Sequence, residues 1–273
     1  MIVRFTKMHG AGNDFIVIDA MRPDDLFDID ALGAAGRAGL ADRHTGIGCD
    51  QLLVLKPPRH DEANVWIRIF NADGDEAAQC GNGMRCIARY LADQQPGKTH
   101  WRLDGVAGLR EARIEADGSV SIEMGRPDWG ADATGCKSMP RAEISGNAVD
   151  ISLISMGNPH AVLFVDAVDD APVDELGPEL QQFFYNGVNV GFAQIIDDSC
   201  LALRVWERGV GETRACGTGA CAAVIAAVER GLKPGWVSVD LPGGQLMVKW
   251  AGPEESVWLR GPAQRVFEGQ TEI

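Results

Sequence analysis

The sequence predicts an α+β fold of two similar halves, each with a mostly antiparallel sheet or barrel around a central helix. Apolar runs of four to eight residues recur along most of the chain and are typical of strands. Few helical stretches separate these runs, and turn sequences such as Ala116-Asp117-Gly118 join them, which favours antiparallel pairing. A segment around Cys80 also repeats around Cys216, which indicates an internal duplication.

The apolar periodicity assigns the elements in order. The predicted strands are Ile2–Phe5, Phe15–Ile18, Gln51–Leu55, Val65–Phe70, Val120–Met124, Ala161–Val165, Val188–Ile196, Leu201–Trp206 and Val257–Leu259. The predicted helices are Asp30–Arg43, Gly83–Gln94, Asp174–Phe184 and Gly219–Arg230. The last helix is apolar on nearly all sides, which indicates a helix buried at the centre of a sheet or barrel.

Composition limits the class of protein. The chain has 273 residues, of which 45% are hydrophobic, so one large domain and two of about 130 residues are both compatible with its length. A net charge of −14 argues against nucleic-acid binding and favours a small ligand. The longest apolar run, Cys221 to Val228, is too short to cross a membrane, and the N-terminus does not resemble a secretion signal. We therefore expect a cytoplasmic protein.

The internal repeat is centred on two cysteines that lie 136 residues apart. At this offset Phe70–Gly83 lies over Trp206–Gly219, and the matched pairs are Glu76 with Glu212, Cys80 with Cys216, Gly81 with Gly217 and Gly83 with Gly219. A second match, Gly12-Asn13 with Gly157-Asn158, lies at an offset of 145. Each half is therefore expected to contain a strand, a Cys-Gly-x-Gly loop and a central helix.

Each Cys-Gly-x-Gly segment places a thiol directly before a helix. The first backbone N–H groups of a helix have no partner within it, so with the helix dipole they can bind a carboxylate and lower the pKa of a thiol. We expect Cys80 and Cys216 to be functional for this reason. The other cysteines are expected to pack inertly in the core: Cys49, Cys86, Cys136, Cys200 and Cys221.

Two thiols presented to a shared cleft from opposite sides suit a racemisation. One thiolate removes a proton from a tetrahedral carbon while the opposing thiol delivers a proton to the other face. The amide groups would stabilise the charge that develops on the carboxylate. The sequence has no P-loop and no G-x-G-x-x-G fingerprint, and no Schiff-base lysine stands out, so we expect no cofactor.

Three other classes stay open on the residues alone. A zinc site would need ligands at Cys80 and Cys86 or at Cys216 and Cys221. Neither pair has the usual C-x-x-C spacing, and the sequence has no H-E-x-x-H motif, so we expect no metal. A redox pair would cycle Cys80 and Cys216 through a disulfide. A non-catalytic amino-acid-binding protein would keep the polar residues but show no unusual thiol reactivity.

Polar residues near the two segments form a set that could hold a zwitterion. Asparagine recurs where strands end, and the set consists of Asn13, Gln51, Asn71, Asn158, Asn189, Glu207 and Arg208. Arg208 can bind a carboxylate with two hydrogen bonds, and Glu207 can bind an ammonium group. His160, two residues after Asn158, could set the protonation state of a thiol.

Four long segments resemble the signature sequences of the diaminopimelate epimerase family, in the right order and over nearly the whole chain: MHGAGNDF, FNADGDEAAQCGNGMRC, MGNPH and ERGVGETRACGTGACAA. The resemblance implies a cofactor-independent interconversion of LL- and meso-2,6-diaminopimelate in lysine and peptidoglycan precursor biosynthesis. It also implies a homodimer of two-domain chains. The related proline racemase and hydroxyproline epimerase group has CGHG where this chain has CGNG at Cys80.

The resemblance also implies roles for individual residues. It makes Cys80 and Cys216 the acid–base pair, assisted by His160 and Glu207. The substrate-contacting residues would be Asn13, Gln51, Asn71, Gly81, Asn82, Asn158, Asn189, Glu207, Arg208, Gly217 and Thr218. Because the C-terminal strand of such enzymes returns to the first domain, we expect one half of residues 1–118 with 261–273 and another of residues 119–260.

Overall fold

The computed structural model describes residues 2–21, 27–139, 142–144 and 146–272. Residues 1, 22–26 and 273 of the predicted first half, and 140, 141 and 145 of the second, lie outside this description. By its contacts the chain divides into two compact units, Met1–Ile122 with Gly261–Ile273, and Glu123–Arg260. None of the helices in the described part of the chain is long and apolar enough to cross a membrane.

The first unit surrounds one long helix with strands. Its elements are β1 (Ile2–Gly10), β2 (Asn13–Asp19), α1 (Gly33–Ala41), β3 (Gln51–Lys56), β4 (Val65–Asn71), β5 (Glu76–Ala77), α2 (Gly81–Gln94), β6 (His100–Asp104), β7 (Arg110–Ile114) and β8 (Val120–Gly125). Strand β1 pairs antiparallel with β2, and antiparallel pairs also join β3 to β4, β4 to β5, β6 to β7 and β7 to β8. The pairs β2–β3 and β4–β6 are parallel, and a helix lies between their strands in the chain.

The second unit repeats this arrangement. Its elements are β9 (Asp128–Trp129), α3 (Gly130–Thr134), β10 (Ala142–Ile144), β11 (Asn147–Val149), β12 (Ile151–Ser155), β13 (Pro159–Phe164), α4 (Val173–Gln181), β14 (Asn189–Asp197), β15 (Cys200–Glu207), β16 (Gly211–Thr213), α5 (Gly217–Glu229), β17 (Gly235–Leu241), β18 (Gly244–Trp250) and β19 (Val257–Gly261). The pairs β13–β14 and β15–β17 are parallel, as are β2–β3 and β4–β6. The neighbours β12–β13, β14–β15, β15–β16, β17–β18 and β18–β19 are antiparallel.

Apart from β9, α3, β10 and β11 of the second unit and the last strand of the chain, the two units therefore correspond element by element. Strands β12 to β19 match β1 to β8 in order, and α4 and α5 match α1 and α2. The last strand, β20 (Gln264–Glu272), pairs antiparallel with β1. The duplication seen in the sequence around Cys80 and Cys216 thus extends to eight strands and two helices of each unit.

Each unit packs its strands around its central helix. Helix α2 contacts β1, β2, β3, β6 and β7, and α5 contacts β12 to β15, β17 and β18. Residues 219–227 of α5 are all buried, because their small and aliphatic side chains allow strands to approach the helix from every side. The predicted α+β class is confirmed.

The predicted strands and helices are all present, with shifted ends. Strand β1 runs to Gly10, five residues beyond its predicted end, and α1 starts at Gly33 rather than Asp30. Helices α2 and α5 start two residues earlier than predicted, directly after the cysteines. Helix α3 and short strands such as β5 and β16 were not predicted because they carry too few residues for a periodic signal. Strands β17 and β18, of seven residues each, were also not predicted.

Candidate active site

Each of the two cysteines caps the central helix of its unit. Cys80 precedes α2 and Cys216 precedes α5, both with extended backbone. The Cys80 Sγ atom accepts a hydrogen bond from the Gly83 N–H at 3.3 Å, and the Cys216 Sγ atom accepts one from the Gly219 N–H at 3.4 Å. The sulfur therefore takes the position that a serine or aspartate oxygen occupies in an ordinary N-cap.

The glycines of each motif leave space for the sulfur. A Cβ atom added to Gly219 would lie 3.2 Å from the Cys216 Sγ atom. One added to Gly83 would lie 3.0 Å from the Leu53 side chain and 3.5 Å from the Cys80 Sγ atom. The glycine at this helix position therefore allows the thiol to reach the backbone N–H.

The first turns of both helices offer backbone donors. The first helical hydrogen bonds join the Met84 N–H to the Cys80 carbonyl and the Ala220 N–H to the Cys216 carbonyl, each at 2.9 Å. The N–H groups of the residues before Met84 and Ala220 thus have no carbonyl within the helix to bind. The Gly83 and Gly219 N–H groups bind the cysteine sulfurs, and with the helix dipole the N–H groups of Gly81, Asn82, Gly217 and Thr218 can hold a carboxylate.

In the first unit, asparagine side chains lie beside Cys80. The Asn82 Nδ2 atom donates to the Asn13 Oδ1 atom at 3.2 Å, and that oxygen lies 3.9 Å from the Cys80 Sγ atom. Gln51 and Asn71 occupy paired positions on β3 and β4, and the Gln51 Nε2 atom donates to the Asn71 Oδ1 atom at 2.8 Å. The structure thus brings Asn13, Asn82 and Cys80 into one group and Gln51 and Asn71 into another.

In the second unit, a chain of hydrogen bonds leads to Cys216. The Asn158 Nδ2 atom donates to the Thr218 hydroxyl at 3.2 Å, and that hydroxyl lies 3.6 Å from the Cys216 Sγ atom. The His160 Nε2 atom lies 3.2 Å from the Asn158 Oδ1 atom. Since the Asn158 oxygen is an acceptor, the neutral imidazole carries its proton on Nε2.

The other predicted residues of the second unit are also linked to one another. The Asn189 Oδ1 atom accepts the Arg208 N–H at 2.9 Å, and its Nδ2 atom donates to the Pro159 carbonyl at 3.3 Å. The exposed Arg208 guanidinium donates to the Asn186 carbonyl at 3.1 Å. Beside it in the chain, Glu207 accepts a hydrogen bond from Thr213 at 2.5 Å.

Site residues of the two units occupy equivalent places. Gln51 and Asn189 are the first residues of β3 and β14, and Asn71 and Glu207 are the last residues of β4 and β15. Asn13 and Asn158 both contact the second residue after a cysteine, which is Asn82 in one unit and Thr218 in the other. The first unit thus has an uncharged amide where the second has the carboxylate of Glu207.

Burial and charge act against ionisation of Cys216. Burial raises the pKa of this thiol well above its ordinary value, and the nearby Glu207 carboxylate raises it further. The hydrogen bonds from Thr218 and Gly219 act in the other direction but are outweighed. The expectation that the helix terminus lowers the pKa of both thiols is therefore wrong for Cys216, which is a thiol at neutral pH.

The remaining cysteines divide into two kinds. Cys49, Cys86 and Cys221 are buried as predicted, and burial raises the pKa values of Cys49 and Cys86 to about 12. Cys136 is half-buried and packs against the apolar core of the second unit, whereas Cys200 is half-buried at the start of β15 and its predicted core position is wrong. Both lie at element boundaries, where periodicity gives little information about burial.

His160 is buried and neutral. Burial lowers its pKa to about 3, and the charge of Arg208 contributes in the same direction. In the described part of the chain, the His160 Nδ1 and Gln51 Oε1 atoms are buried without a hydrogen-bond partner. They are therefore acceptors that a ligand could use.

Sequence reasoning missed several polar residues that hold the site. The Asp50 carboxylate accepts a hydrogen bond from Asn13 at 2.7 Å and binds Arg43. Burial acts to raise the pKa of Asp14, but hydrogen bonds from Arg43 and Lys7 outweigh it and hold this pKa well below its usual range. Isolated charged residues give no periodic signal, although Asp14 and Asp50 directly flank Asn13 and Gln51 in the sequence.

Solved structures with the same fold include a hydroxyproline epimerase and phenazine biosynthesis proteins of the PhzF family. A hydroxyproline epimerase from Agrobacterium vitis superposes with a TM-score of 0.72 at 18% identity, covering 99% of this chain and 91% of that one. A PhzF-family phenazine biosynthesis protein from Bacillus anthracis superposes with a TM-score of 0.73 at 17% identity, covering all of both chains. At these identities the likeness establishes the fold alone.

Curated relatives are much more similar in sequence. The diaminopimelate epimerase of Azotobacter vinelandii is 47% identical over the full length of both chains, and that of Ectopseudomonas mendocina is 46% identical over the same coverage. The described residues contain no group of three or more His, Cys, Asp or Glu side chains placed to hold a metal ion. The diaminopimelate epimerase family model matches residues 5–130 and 152–266. The chain therefore belongs to the diaminopimelate epimerase family.

Proposed function

We propose that this chain is an epimerase that interconverts LL- and meso-2,6-diaminopimelate without a cofactor. The observation that carries the proposal is that a member of this family presents a cysteine at the N-terminus of the central helix in each of its two units. The product would serve lysine and peptidoglycan precursor biosynthesis, and the protein would act in the cytoplasm.

In this proposal Cys80 and Cys216 act on opposite faces of the substrate α-carbon. A thiolate takes the α-proton, and the electron pair of the broken C–H bond passes to the α-carboxylate. The other thiol then gives its proton to the opposite face of the carbon. One thiol and one thiolate remain after inversion, with their roles exchanged, so no oxidant or reductant is needed.

The helix N-termini would stabilise the charge that develops during this transfer. The N–H groups of Gly81 and Asn82, and of Gly217 and Thr218, lie in the first turns of α2 and α5. Such donors bind a carboxylate most strongly when its charge increases, which lowers the barrier to proton removal. We therefore assign these residues to binding of the reacting carboxylate.

The protonation of Cys216 supports its role as the acid in the ligand-free protein. Burial and Glu207 keep this thiol protonated, which suits the proton-donating member of the pair. Neutral His160 orients Asn158, which orients the Thr218 hydroxyl at the sulfur. His160 and Glu207 thus assist the thiol without exchanging protons with the substrate themselves.

The remaining residues would bind the polar groups of diaminopimelate. The exposed Arg208 guanidinium is suited to the distal carboxylate, and Glu207 to an ammonium group. The unpartnered Gln51 Oε1 atom can accept a hydrogen bond from an ammonium group. The amides that complete the proposed site are Asn13, Asn71, Asn158 and Asn189.

We also propose that the protein is a homodimer. Strand β20 is exposed along most of its length, and Val266 and Phe267 on it are 56% and 48% exposed. An exposed strand with apolar side chains is a typical surface for association with a second chain. A second copy of this chain would cover it.

Proton NMR of meso-diaminopimelate in D2O tests the proposed activity. With reduced protein and no added cofactor, we expect loss of the α-proton signal together with appearance of the LL isomer. Absence of both, with confirmed thiol reactivity, would reject diaminopimelate as substrate, and proline would be the next amino acid to test. Absence of exchange with every amino acid would favour a binding protein.

A further inference from the structure

Helix α2 carries a fully buried arginine to which the proposed mechanism gives no role. Arg85 has no solvent exposure. Its Nη2 atom donates to the Asn82 Oδ1 atom at 2.7 Å, and its Nε atom donates to the Pro262 carbonyl at 3.4 Å. Gly10 leaves room for this side chain, since a Cβ atom at Gly10 would lie 3.3 Å from the Arg85 Nη2 atom.

Arg85 fixes the orientation of two amides beside Cys80. A guanidinium has only donors, so Asn82 must turn its oxygen towards Arg85 and its Nδ2 atom towards the Asn13 oxygen. At the other end, the Asp50 carboxylate accepts from the Asn13 Nδ2 atom at 2.7 Å. Because Arg85 and Asp50 fix the orientation of these two amides, the Asn13 oxygen is held 3.9 Å from the Cys80 sulfur.

The second unit uses another residue for the same purpose. Its position equivalent to Arg85, 136 residues further on, is Cys221, which has no charge. There the amide of Asn158 is held by His160, which lies at the position of Phe15 in the first unit. Phe15 and His160 are both buried, and they pair with Gln51 and Asn189, the equivalent first residues of β3 and β14.

We infer that Arg85 is the positioning residue of the Cys80 half, the counterpart of His160 in the Cys216 half. It acts through Asn82 and Asn13 and does not touch the reacting atoms. The consequence for turnover rests on the proposed epimerase function, whereas the consequence for the reactivity of Cys80 does not. The buried positive charge also favours a nearby thiolate, and it already acts to lower the pKa of the adjacent Cys86.

Site-resolved alkylation of the intact, reduced protein tests this role. Iodoacetamide labelling near neutral pH is followed at Cys80 and Cys216 by mass spectrometry in wild type, Arg85→Met and Arg85→Lys. We expect labelling of Cys80 to slow at least about fivefold in Arg85→Met, because the buried positive charge that favours the thiolate is lost. Arg85→Lys should recover part of the rate, and labelling of Cys216 should change less than about twofold in both variants.

Two further variants separate positioning from loss of structure. Ile87→Val, at a fully buried position of the same helix, should leave both labelling rates within about twofold of wild type. If Arg85→Met does not fold, Gly10→Ala is the second variant: its added Cβ would lie 3.1 Å from the Pro262 carbonyl oxygen and 3.3 Å from the Arg85 Nη2 atom. We expect it to crowd the guanidinium and its Pro262 partner without removing the charge and to slow labelling of Cys80 selectively.

An unchanged Cys80 rate in a folded Arg85 variant would overturn the inference, and so would equal changes at Cys80 and Cys216. In the epimerase assay, Arg85→Met should lower kcat by about tenfold or more with a smaller change in KM. Because labelling needs no substrate, failure of wild type to epimerise diaminopimelate would reject the proposed function and leave the positioning test intact.

Discussion

The Cys216 sulfur lies 3.6 Å from the Thr218 hydroxyl oxygen. That oxygen already accepts a hydrogen bond from Asn158, so its own proton is available to the sulfur. The Gly219 N–H is a second donor to the same sulfur. Cys216 is therefore a buried thiol whose ionised form is opposed by burial and supported by two specific donors.

Removing the Thr218 hydroxyl should make Cys216 less acidic. In Thr218→Val the pKa of Cys216 rises further, because a hydrogen bond that favours the thiolate is lost. We expect alkylation of Cys216 at fixed pH to slow by about threefold or more. Thr134→Val is a matched control, since the Thr134 hydroxyl donates to Gly130 in α3. Faster labelling of Cys216 in Thr218→Val would contradict the assignment.

Neutralising Glu207 should have the opposite effect. The Glu207 charge raises the pKa of Cys216, so Glu207→Gln lowers this pKa and speeds alkylation of Cys216. Epimerase activity should nevertheless fall, because the proposed ammonium contact is weakened. Glu212→Gln, which instead breaks an ion pair with Arg204, should leave the alkylation of Cys216 unchanged. Cys216 labelling rates measured over a pH series in Glu207→Gln and Glu212→Gln show the effect of each substitution on the pKa of Cys216.

A methyl group at Gly219 should displace the thiol. Its Cβ atom would lie 3.2 Å from both the Cys216 sulfur and the Val205 side chain. We expect Gly219→Ala to lower kcat by about tenfold or more while the protein stays folded. Gly39→Ala in α1 is the control, because nothing lies within 4 Å of the added Cβ. That variant should keep full activity and gain up to about 1 kcal/mol in stability.

Buried neutral His160 should make stability depend on pH. Its pKa is about 3 in the folded protein and 6.5 for an exposed imidazole, so the unfolded chain binds the proton first as pH falls. The contribution of neutral His160 to the free energy of unfolding is complete above pH 6.5. As the pH falls from 6.5 towards 3 it is lost, at up to about 1.4 kcal/mol per pH unit. Denaturant unfolding of wild type and His160→Gln measures it. If the free energy of unfolding changed with pH identically in the two proteins, a buried neutral His160 would be contradicted.

Strand β20 provides the test of the proposed dimer. Glutamate in place of both Val266 and Phe267 should convert the protein to monomers, because charge would replace the exposed apolar surface. Ile196→Glu, at a residue of β14 that is 52% exposed, should leave the dimer intact. Sedimentation velocity distinguishes the two states. A wild-type protein that sediments as a monomer at micromolar concentration would reject the proposal.

The fold could be predicted largely because it is duplicated. The repeat of Cys-Gly-x-Gly at Cys80 and Cys216, together with short apolar runs, was enough to indicate two similar halves with central helices. Pairing partners could not be read from those runs, since the parallel pairs β2–β3 and β13–β14 join strands separated by a helix. Strand β20 was expected only from the family resemblance, because its exposed residues carry no hydrophobic pattern.

The site residues could be predicted by type and position, but their connections could not. Asn13 and Asn158 follow turn glycines, a local signal, whereas the Asn13–Asp50 and Arg85–Pro262 contacts join residues far apart in the sequence. The direction of the pKa shift of Cys216 could not be predicted from the sequence either. A helix terminus lowers the pKa of a thiol and burial raises it, and only the three-dimensional surroundings decide which effect is larger.

The most direct test of the two-thiol account is proton NMR of meso-diaminopimelate in D2O with wild type, Cys80→Ala and Cys216→Ala. We expect wild type to exchange the α-proton and form the LL isomer, and each variant to lose inversion. A single remaining thiol could still exchange the proton without inverting the carbon, which would separate the two roles. Full epimerisation by either variant would contradict the central claim.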